Sequence, residues 1–211
     1  MNLPNALSIA RIAATPLIAW MPFVESWPVR LGAFFLFLAA AITDYIDGHL
    51  ARTRKLETDL GRLLDPAADK ALLVGMMIPM YLLAPRFPYL PPLLGPVGLP
   101  LWVVVVVIGR EVFMTVFRQV AKRRGVVISA IRSAKIKAVF QFIWQGSAYS
   151  WFFTVTAAGD QLTTNIFWHV WAWANSITGA ISMTASVFLA IYSLVLYMRS
   201  FGRVLAESTP T

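Results

Sequence analysis

The chain has 211 residues, of which 58% are hydrophobic, and its 18 lysines and arginines outnumber its 10 acidic residues. It contains no cysteine, which excludes disulfides and thiolate metal sites. With only two histidines, a metal site must be built mainly from oxygen, which favours Mg²⁺, Mn²⁺ or Ca²⁺. The long apolar runs are typical of membrane proteins with several spans. In that class an excess of positive charge marks the cytoplasmic side and anionic lipid, so we expect no nucleic-acid partner.

Six apolar runs are long enough to cross a bilayer as helices. They lie near residues 6–24, 31–50, 60–84, 97–118, 134–157 and 166–198. Proline, glycine or charged residues separate them. The sequence therefore predicts an all-α membrane protein with six transmembrane helices in a single domain over residues 1–211. The last run is long enough to extend past the bilayer.

The distribution of basic residues predicts the orientation in the membrane. With both termini in the cytoplasm, nearly all lysines and arginines lie on the cytoplasmic side. Only Arg30 and Arg86 then lie outside, and Arg110 lies within a span. Most tryptophans fall near the outer ends, as expected of an interfacial belt. We therefore expect an integral protein of the bacterial inner membrane, with N- and C-termini in the cytoplasm.

Five of the chain's six aspartates lie in one window, residues 44–69; four of them fall within the second and third runs, and the fifth lies in the link. On a helix, Asp44 and Asp47 are neighbours on one face, and Asp65 and Asp69 form a stripe on the next helix. The short basic link over residues 52–59 predicts that the two helices are antiparallel neighbours. Four carboxylates would then converge at the cytoplasmic end of the bundle.

Carboxylates beside a bilayer are costly unless something compensates their charge. Oxygen ligands at this density can hold two hard cations, an arrangement that clamps a diphosphate during phosphoryl or phosphatidyl transfer. The alternative is that Asp44 and Asp47 pair with Arg52 and Arg62 without any metal. We consider that less favourable, because buried like charges at this spacing make a poor scaffold.

The whole window has the pattern D-x2-D-G-x2-A-R-x8-G-x3-D-x3-D, beginning at Asp44. It resembles the signature of the CDP-alcohol phosphotransferase family at all eight fixed positions. Members of that family have six transmembrane helices, with the motif across the second and third. The resemblance therefore covers essentially the whole chain, and it implies a homodimer.

This resemblance also implies roles for the individual residues of the window. Two divalent cations, Mg²⁺ or Mn²⁺, would be bound by Asp44, Asp47 and Asp65. Asp69 would be the general base on the acceptor hydroxyl and would also contact a metal. The CDP group would be bound by Asp47, Gly48, Ala51, Arg52 and Gly61.

A second cluster of charges bears on the acceptor alcohol. Arg110 and Glu111 lie inside an apolar stretch. Being adjacent on a helix they should point in different directions, although either could line an interior cavity. Cations at helix ends that face a metal site could hold a phosphate on the acceptor. The predicted phosphate-binding residues are Arg110, Arg118, Lys135 and Lys137. The alternative is that such cations only signal topology, as we expect of residues 122–124.

Three segments resemble the phosphatidylglycerophosphate synthase branch of the family. They are residues 2–8 with Arg11 and Pro16, residues 109–111, and residues 135–137. This resemblance implies that CDP-diacylglycerol and glycerol 3-phosphate react to give phosphatidylglycerophosphate and CMP. Ala134 and Ala138 depart from the glycine and threonine common in that branch.

Other functions remain open from the sequence. The same chemistry could use inositol phosphate, phosphatidylglycerol or serine as acceptor. A divalent-cation transporter would also carry aspartates, but its acids should lie near the middle of the membrane. An all-helical prenyl-diphosphate enzyme also uses clustered aspartates, but the spacing and the six runs argue against it.

Overall fold

The structure is a computed structural model that describes residues 3–53, 59–87, 99–125 and 132–207. Within these ranges, the side chains of residues 3, 4, 45–53, 59, 60, 62, 63, 132 and 200–207 lie outside the description. The described residues form helices and turns without a β-strand, so the predicted all-α fold is confirmed for them. The helices are α1 (Leu3–Trp20), α2 (Trp27–Thr53), α3 (Asp59–Leu83), α4 (Leu101–Arg123), α5 (Arg132–Ala158), α6 (Gln161–Thr164) and α7 (Ile166–Glu207), with a 3₁₀ turn at Met21–Phe23.

Four helices are long and apolar enough to cross a bilayer, which indicates a membrane protein. These candidate spans are Asn5–Phe23, Trp27–Asp44, Leu64–Leu83 and Ile166–Arg199. The last belongs to α7, whose 42 residues are much longer than the roughly 20 that a bilayer needs. The expectation that this helix outruns the bilayer is therefore confirmed in length.

The other two long helices, α4 and α5, are long enough to cross a bilayer but are less apolar than the four candidate spans. Arg110, Glu111 and Arg118 interrupt α4. Gln141 and Gln145 lie in the middle of α5. Both helices coincide with runs that the sequence predicts to be transmembrane.

The long helices pack in a closed ring. In this ring α1 contacts α2 and α3, α2 contacts α5, α5 contacts α7, α7 contacts α4, and α4 contacts α3. Helix α5 also contacts α3 across the ring, so it packs on three of the other long helices. In the described part of the chain, α3 packs mainly on α1, and α2 packs on both α5 and α1. The link between α2 and α3 and the adjoining side chains lie outside the description, so the prediction that these two helices are antiparallel neighbours stays a prediction.

Several buried polar side chains on α5 donate hydrogen bonds to backbone carbonyls. The Tyr149 hydroxyl donates to the carbonyl of Ile18 at 3.2 Å, and Gln145 Nε2 donates to the carbonyl of Leu73 at 3.4 Å. Trp144, Tyr149 and Phe152 of the same helix are almost fully buried. A central helix with several neighbours can therefore carry polar groups that a lipid-facing helix could not.

The contact between α1 and α3 depends on Gly75, and this gives a test of the packing. A methyl group on Gly75 would lie 2.7 Å from Cγ2 of Thr15, which is too close for two carbon atoms. We expect Gly75→Ala to destabilise the protein by about 1–3 kcal/mol. The measurement is a lower melting temperature in detergent.

Two further variants make the Gly75 test specific. Gly109→Ala is the matched control, because nothing lies within 4 Å of its added methyl group. Alanine also favours the helix, so the melting temperature should hold or rise. Thr15→Ser removes Cγ2 but keeps the hydroxyl that donates to the carbonyl of Arg11. It should restore much of the stability of Gly75→Ala, and failure to do so would contradict the steric explanation.

Candidate active site

Charged side chains gather at the end of the bundle where α1, α3 and α5 begin and α2, α4 and α7 end. Two clusters are found there. In one, Arg11 of α1 contacts aspartates of α2 and α3. In the other, Glu111 of α4 contacts Lys137 of α5.

In the first cluster, Arg11 lies between the aspartates of the two motif helices. Its Nη1 donates to Oδ1 of Asp44 at 2.5 Å and to Oδ1 of Asp69 at 3.0 Å. One turn earlier on α1, the Ser8 hydroxyl donates to Oδ1 of Asp65 at 2.5 Å. The Arg11 side chain is only 1% exposed. Helix α1 therefore gathers three of the four predicted aspartates around a buried cation.

These carboxylates have the chemistry of a site for hard cations. Asp44 and Asp69 accept from the same nitrogen, so they lie a few ångströms apart, and Asp65 is close enough for its charge to act on Asp69. Among the described side chains, no three potential ligands form a complete metal site. The fourth predicted ligand, Asp47, lies outside the described side chains. The described carboxylates supply oxygen ligands of the kind that hard divalent cations prefer.

The sequence did not identify Arg11 and Ser8 as partners of the aspartates. The sequence indicates only that Arg11 is a cytoplasmic charge and part of the N-terminal segment that resembles the synthase branch. An arginine and a serine three residues apart in an apolar helix form one polar face, which was the available signal. The carboxylate–arginine pairing considered for Arg52 and Arg62 falls on side chains outside the description. The pairing that the structure describes uses Arg11 instead.

The predicted CDP-binding residues are only partly described. The backbone of Gly48, Ala51 and Arg52 belongs to the last turns of α2, and their surroundings lie outside the description. Gly61 is buried in the first turn of α3.

Beside Asp69, a cavity of about 300 Å³ opens between α3, α4 and α5. All four predicted phosphate-binding residues line it together with Asp69. Five cationic and two anionic side chains face this space, so it suits an anion. Its charged lining residues are Asp69, Lys70, Arg110, Glu111, Arg118, Lys135 and Lys137.

In the second cluster, Glu111 anchors two of the cavity's cations. Its Oε1 accepts from Nη1 of Arg110 at 2.9 Å and from Nζ of Lys137 at 2.5 Å. Nη2 of Arg110 also donates to the hydroxyl of Ser193 on α7 at 3.2 Å. The expectation that Arg110 and Glu111 point in different directions is wrong. Their side chains are long enough to meet although their Cα–Cβ bonds diverge.

The other two predicted phosphate-binding residues, Arg118 and Lys135, are less constrained. Arg118 donates from Nη2 to the hydroxyl of Tyr197 at 3.0 Å, and its guanidinium lies 5.6 Å from the centre of the same ring. Lys135 is exposed, and it has no partner among the residues that the structure describes. Glu111 and Tyr197, which orient these cations, were not predicted as site residues.

Comparison with known proteins identifies relatives along most of the chain. A family model described as CDP-alcohol phosphatidyltransferase matches residues 1–178. The chain is 32% identical over 212 residues to the chloroplastic/mitochondrial CDP-diacylglycerol–glycerol-3-phosphate 3-phosphatidyltransferase 1 of Arabidopsis thaliana, a match that covers 98% of this chain and 65% of the relative. It is 36% identical over 156 residues to the CDP-diacylglycerol–glycerol-3-phosphate 3-phosphatidyltransferase of Bacillus subtilis (strain 168), covering 67% of this chain and 73% of the relative.

A third relative is named for a different activity. The chain is 30% identical over 213 residues to a cardiolipin synthase (CMP-forming) of Oryza sativa subsp. japonica, covering 98% of this chain and 59% of the relative. The chain thus spans slightly less than two thirds of the Arabidopsis relative's length and a smaller share of the rice relative's. The family model covers most of the chain, including the whole aspartate window. The chain therefore belongs to the CDP-alcohol phosphatidyltransferase family, which uses divalent metal ions.

Proposed function

We propose that this protein transfers the phosphatidyl group of CDP-diacylglycerol to sn-glycerol 3-phosphate, releasing CMP and forming phosphatidylglycerophosphate. One observation carries the proposal. Asp69 and the cations Arg110, Arg118, Lys135 and Lys137 line the same cavity, which supports a role for Asp69 as base beside a phosphate held by the cations. The Arabidopsis and Bacillus relatives are named for this reaction.

The proposed setting is a bacterial inner membrane, crossed six times by a single domain with both termini in the cytoplasm. The gathering of lysines and arginines at the site's end of the bundle supports a cytoplasmic site. Helices α4 and α5 can span although they are less apolar, because Arg110, Lys137 and Gln141 are buried inside the protein. A soluble acceptor could then reach the site from the cytoplasm while the lipid enters from the bilayer. We also infer a homodimer, from the family resemblance alone.

The aspartates Asp44, Asp47, Asp65 and Asp69 would hold two divalent cations, Mg²⁺ or Mn²⁺. When bound, such cations offset the negative charge of the diphosphate. The CDP group would rest against Gly48, Ala51 and Gly61, whose small side chains would leave room next to the backbone. Arg52 and Asp47 would complete its binding site, with Arg52 contacting the nucleotide or its phosphates. Arg11 supports the arrangement by holding Asp44 and Asp69 close together.

In the proposed reaction Asp69 takes the proton from the acceptor hydroxyl. The hydroxyl oxygen forms a bond to the β-phosphorus, the one that carries the diacylglycerol. The bond from that phosphorus to the bridging oxygen breaks, and CMP leaves with that oxygen. The Asp69 side chain is 52% exposed and faces the cavity, which suits it to reach a soluble acceptor.

The acceptor's phosphate would sit among the cations across the cavity. Lys135 and the unengaged nitrogens of Arg118 are available to it, and Nε of Arg110 is buried without a partner in the described structure. A phosphate monoester, with up to two negative charges, suits this pocket better than serine does. Phosphatidylglycerol, the acceptor of a cardiolipin synthase, carries only a singly charged diester. Inositol phosphate is the strongest competing acceptor, because it also carries a monoester.

An acceptor panel tests the proposed function. Purified protein would be mixed with CDP-diacylglycerol and Mg²⁺, and CMP release and the lipid product would be measured. The acceptors would be glycerol 3-phosphate, inositol 1-phosphate, phosphatidylglycerol and serine. We expect turnover to be fastest with glycerol 3-phosphate. Turnover with another acceptor and none with glycerol 3-phosphate would refute the proposal.

The variant Asp69→Asn tests the base. We expect turnover to fall by about a hundredfold to ten-thousandfold, because the amide cannot take the proton. Binding of CDP-diacylglycerol, measured by calorimetry in detergent, should be largely retained. The matched control is Asp160→Asn at the exposed start of α6, which should keep normal turnover. Normal turnover in Asp69→Asn would rule out its role as base.

The variant Glu111→Gln tests whether Glu111 anchors Arg110 and Lys137 at the cavity. Loss of the Glu111 carboxylate leaves the buried charges of Arg110 and Lys137 without their anion. This should lower the free energy of unfolding by about 3–5 kcal/mol. The melting temperature in detergent should therefore fall clearly. Glu25→Gln is the control, because the Glu25–Arg86 pair is exposed and its loss should cost less than about 1 kcal/mol. Equal losses in the two variants would contradict an anchoring role.

A further inference from the structure

Gln141 lines the cavity on the inner face of α5. Lys137 lies one helical turn before it and Gln145 one turn after, and all three side chains line the same space. Because α5 begins at the charged end of the bundle, Gln141 lies deeper in the protein than Lys137. It therefore lies further from that end than Lys137 does, and further still than the exposed Lys135.

The carbonyl oxygen of the Gln141 side chain is buried and has no hydrogen-bond partner among the described residues. The residue is only 7% exposed. Its two neighbours on the same face are committed, since Lys137 donates to Glu111 and Gln145 donates to the carbonyl of Leu73. A buried acceptor without a partner is unfavourable, and native proteins seldom keep one without a reason.

Unpaired buried polar atoms also occur elsewhere in the described structure, for example in Trp144 and Ser186. Those residues do not line this cavity. Arg110, whose Nε is also unpaired, does line the cavity, but that atom is a donor suited to the phosphate. The unpaired Gln141 atom is an acceptor in the same cavity as Asp69 and the cations. The position suits a ligand that brings its own hydrogen-bond donor.

The proposed acceptor has such a donor to spare. Glycerol 3-phosphate carries a phosphate, a terminal hydroxyl that attacks, and a middle hydroxyl that is not transferred. The cations account for the phosphate and Asp69 accounts for the attacking hydroxyl. The middle hydroxyl is left without a partner, as is the Gln141 oxygen.

We propose that Gln141 accepts a hydrogen bond from the acceptor's untransferred hydroxyl and so selects a polyol phosphate over a simple phosphorylated alcohol. This inference rests on the proposed function. A glutamine suits the task because its amide is uncharged, and it neither repels the phosphate nor competes with the aspartates for a cation. Gln141 would be a specificity-determining residue in direct contact with the substrate.

The test compares two acceptors in wild type and in Gln141→Met. The second acceptor is 3-hydroxypropyl phosphate, which keeps the phosphate and the terminal hydroxyl but lacks the middle one. We expect the wild type to prefer glycerol 3-phosphate by about tenfold or more in kcat/KM. In Gln141→Met that preference should largely disappear, because only the rate with glycerol 3-phosphate falls.

Two further variants keep the test decisive. Gln145→Met is the matched control, since it removes another glutamine from the same face and should leave the preference between acceptors unchanged. Gln141→Glu keeps the side-chain shape and an acceptor oxygen. It should slow both acceptors while retaining the preference, and it replaces Gln141→Met if that variant does not fold.

The outcomes separate the two proposals. Wild-type turnover of glycerol 3-phosphate with an unchanged preference in Gln141→Met would overturn the role of Gln141 alone. Loss of the preference in Gln145→Met, or in a well-folded Gln141→Glu, would also overturn it. If the wild type turned over neither phosphorylated acceptor, the proposed function would fail and this inference with it.

Discussion

Compensation of buried charge is the constraint on which the site depends. Arg11 is surrounded by carboxylates that outnumber it, whereas the single carboxylate of Glu111 is shared by two cations. Each cluster is therefore unbalanced, and the two imbalances have opposite signs. In an apolar bundle such imbalances are unfavourable unless a ligand corrects them. The first cluster suits added cations, and the second suits an added anion.

The packing of one face of α5 inside the bundle makes this arrangement possible. A helix face exposed to lipid could not carry Lys137, Gln141 and Gln145 together. This face of α5 can, because it lines the cavity and a backbone carbonyl accepts the hydrogen bond of Gln145. The polar residues that make α5 less apolar than a candidate membrane span are thus among the residues that line the cavity. A substrate-binding helix in a membrane enzyme would be expected to look less like a membrane helix than its neighbours do.

Local patterns in the sequence predicted what local physics controls. The apolar runs gave the long helices, because helix length and hydropathy are local properties. The spacing of Asp44, Asp65 and Asp69 correctly indicated that these carboxylates converge. Long-range pairing was not accessible in the same way. The helix that holds the aspartates together is α1, and nothing in the spacing of the motif shows that Arg11 lies among them.

The cations that line the cavity show the same limit at the level of side chains. The pattern identified Arg110, Arg118, Lys135 and Lys137 as candidates, and the structure gathers all four at one cavity. It did not reveal that Glu111 would turn toward its own neighbour, because side-chain direction at the Cβ atom does not determine where a long side chain ends. Nor could it mark Gln141 as exceptional. A glutamine in an apolar run becomes informative only when its neighbours' hydrogen bonds are known.

Asp69 connects the two clusters, and this supports its proposed role on physical grounds that are independent of the family motif. Like Asp44, it accepts a hydrogen bond from Arg11, yet among the described aspartates it is the one that lines the cavity. Its side chain is also more exposed than that of Asp44, at 52% against 30%. In the proposed reaction, a carboxylate that faced only the aspartate cluster could not reach an acceptor. One that faced only the cations of the cavity could not lie near the phosphorus. The proposed transfer requires a base that touches both spaces, and Asp69 is in that position.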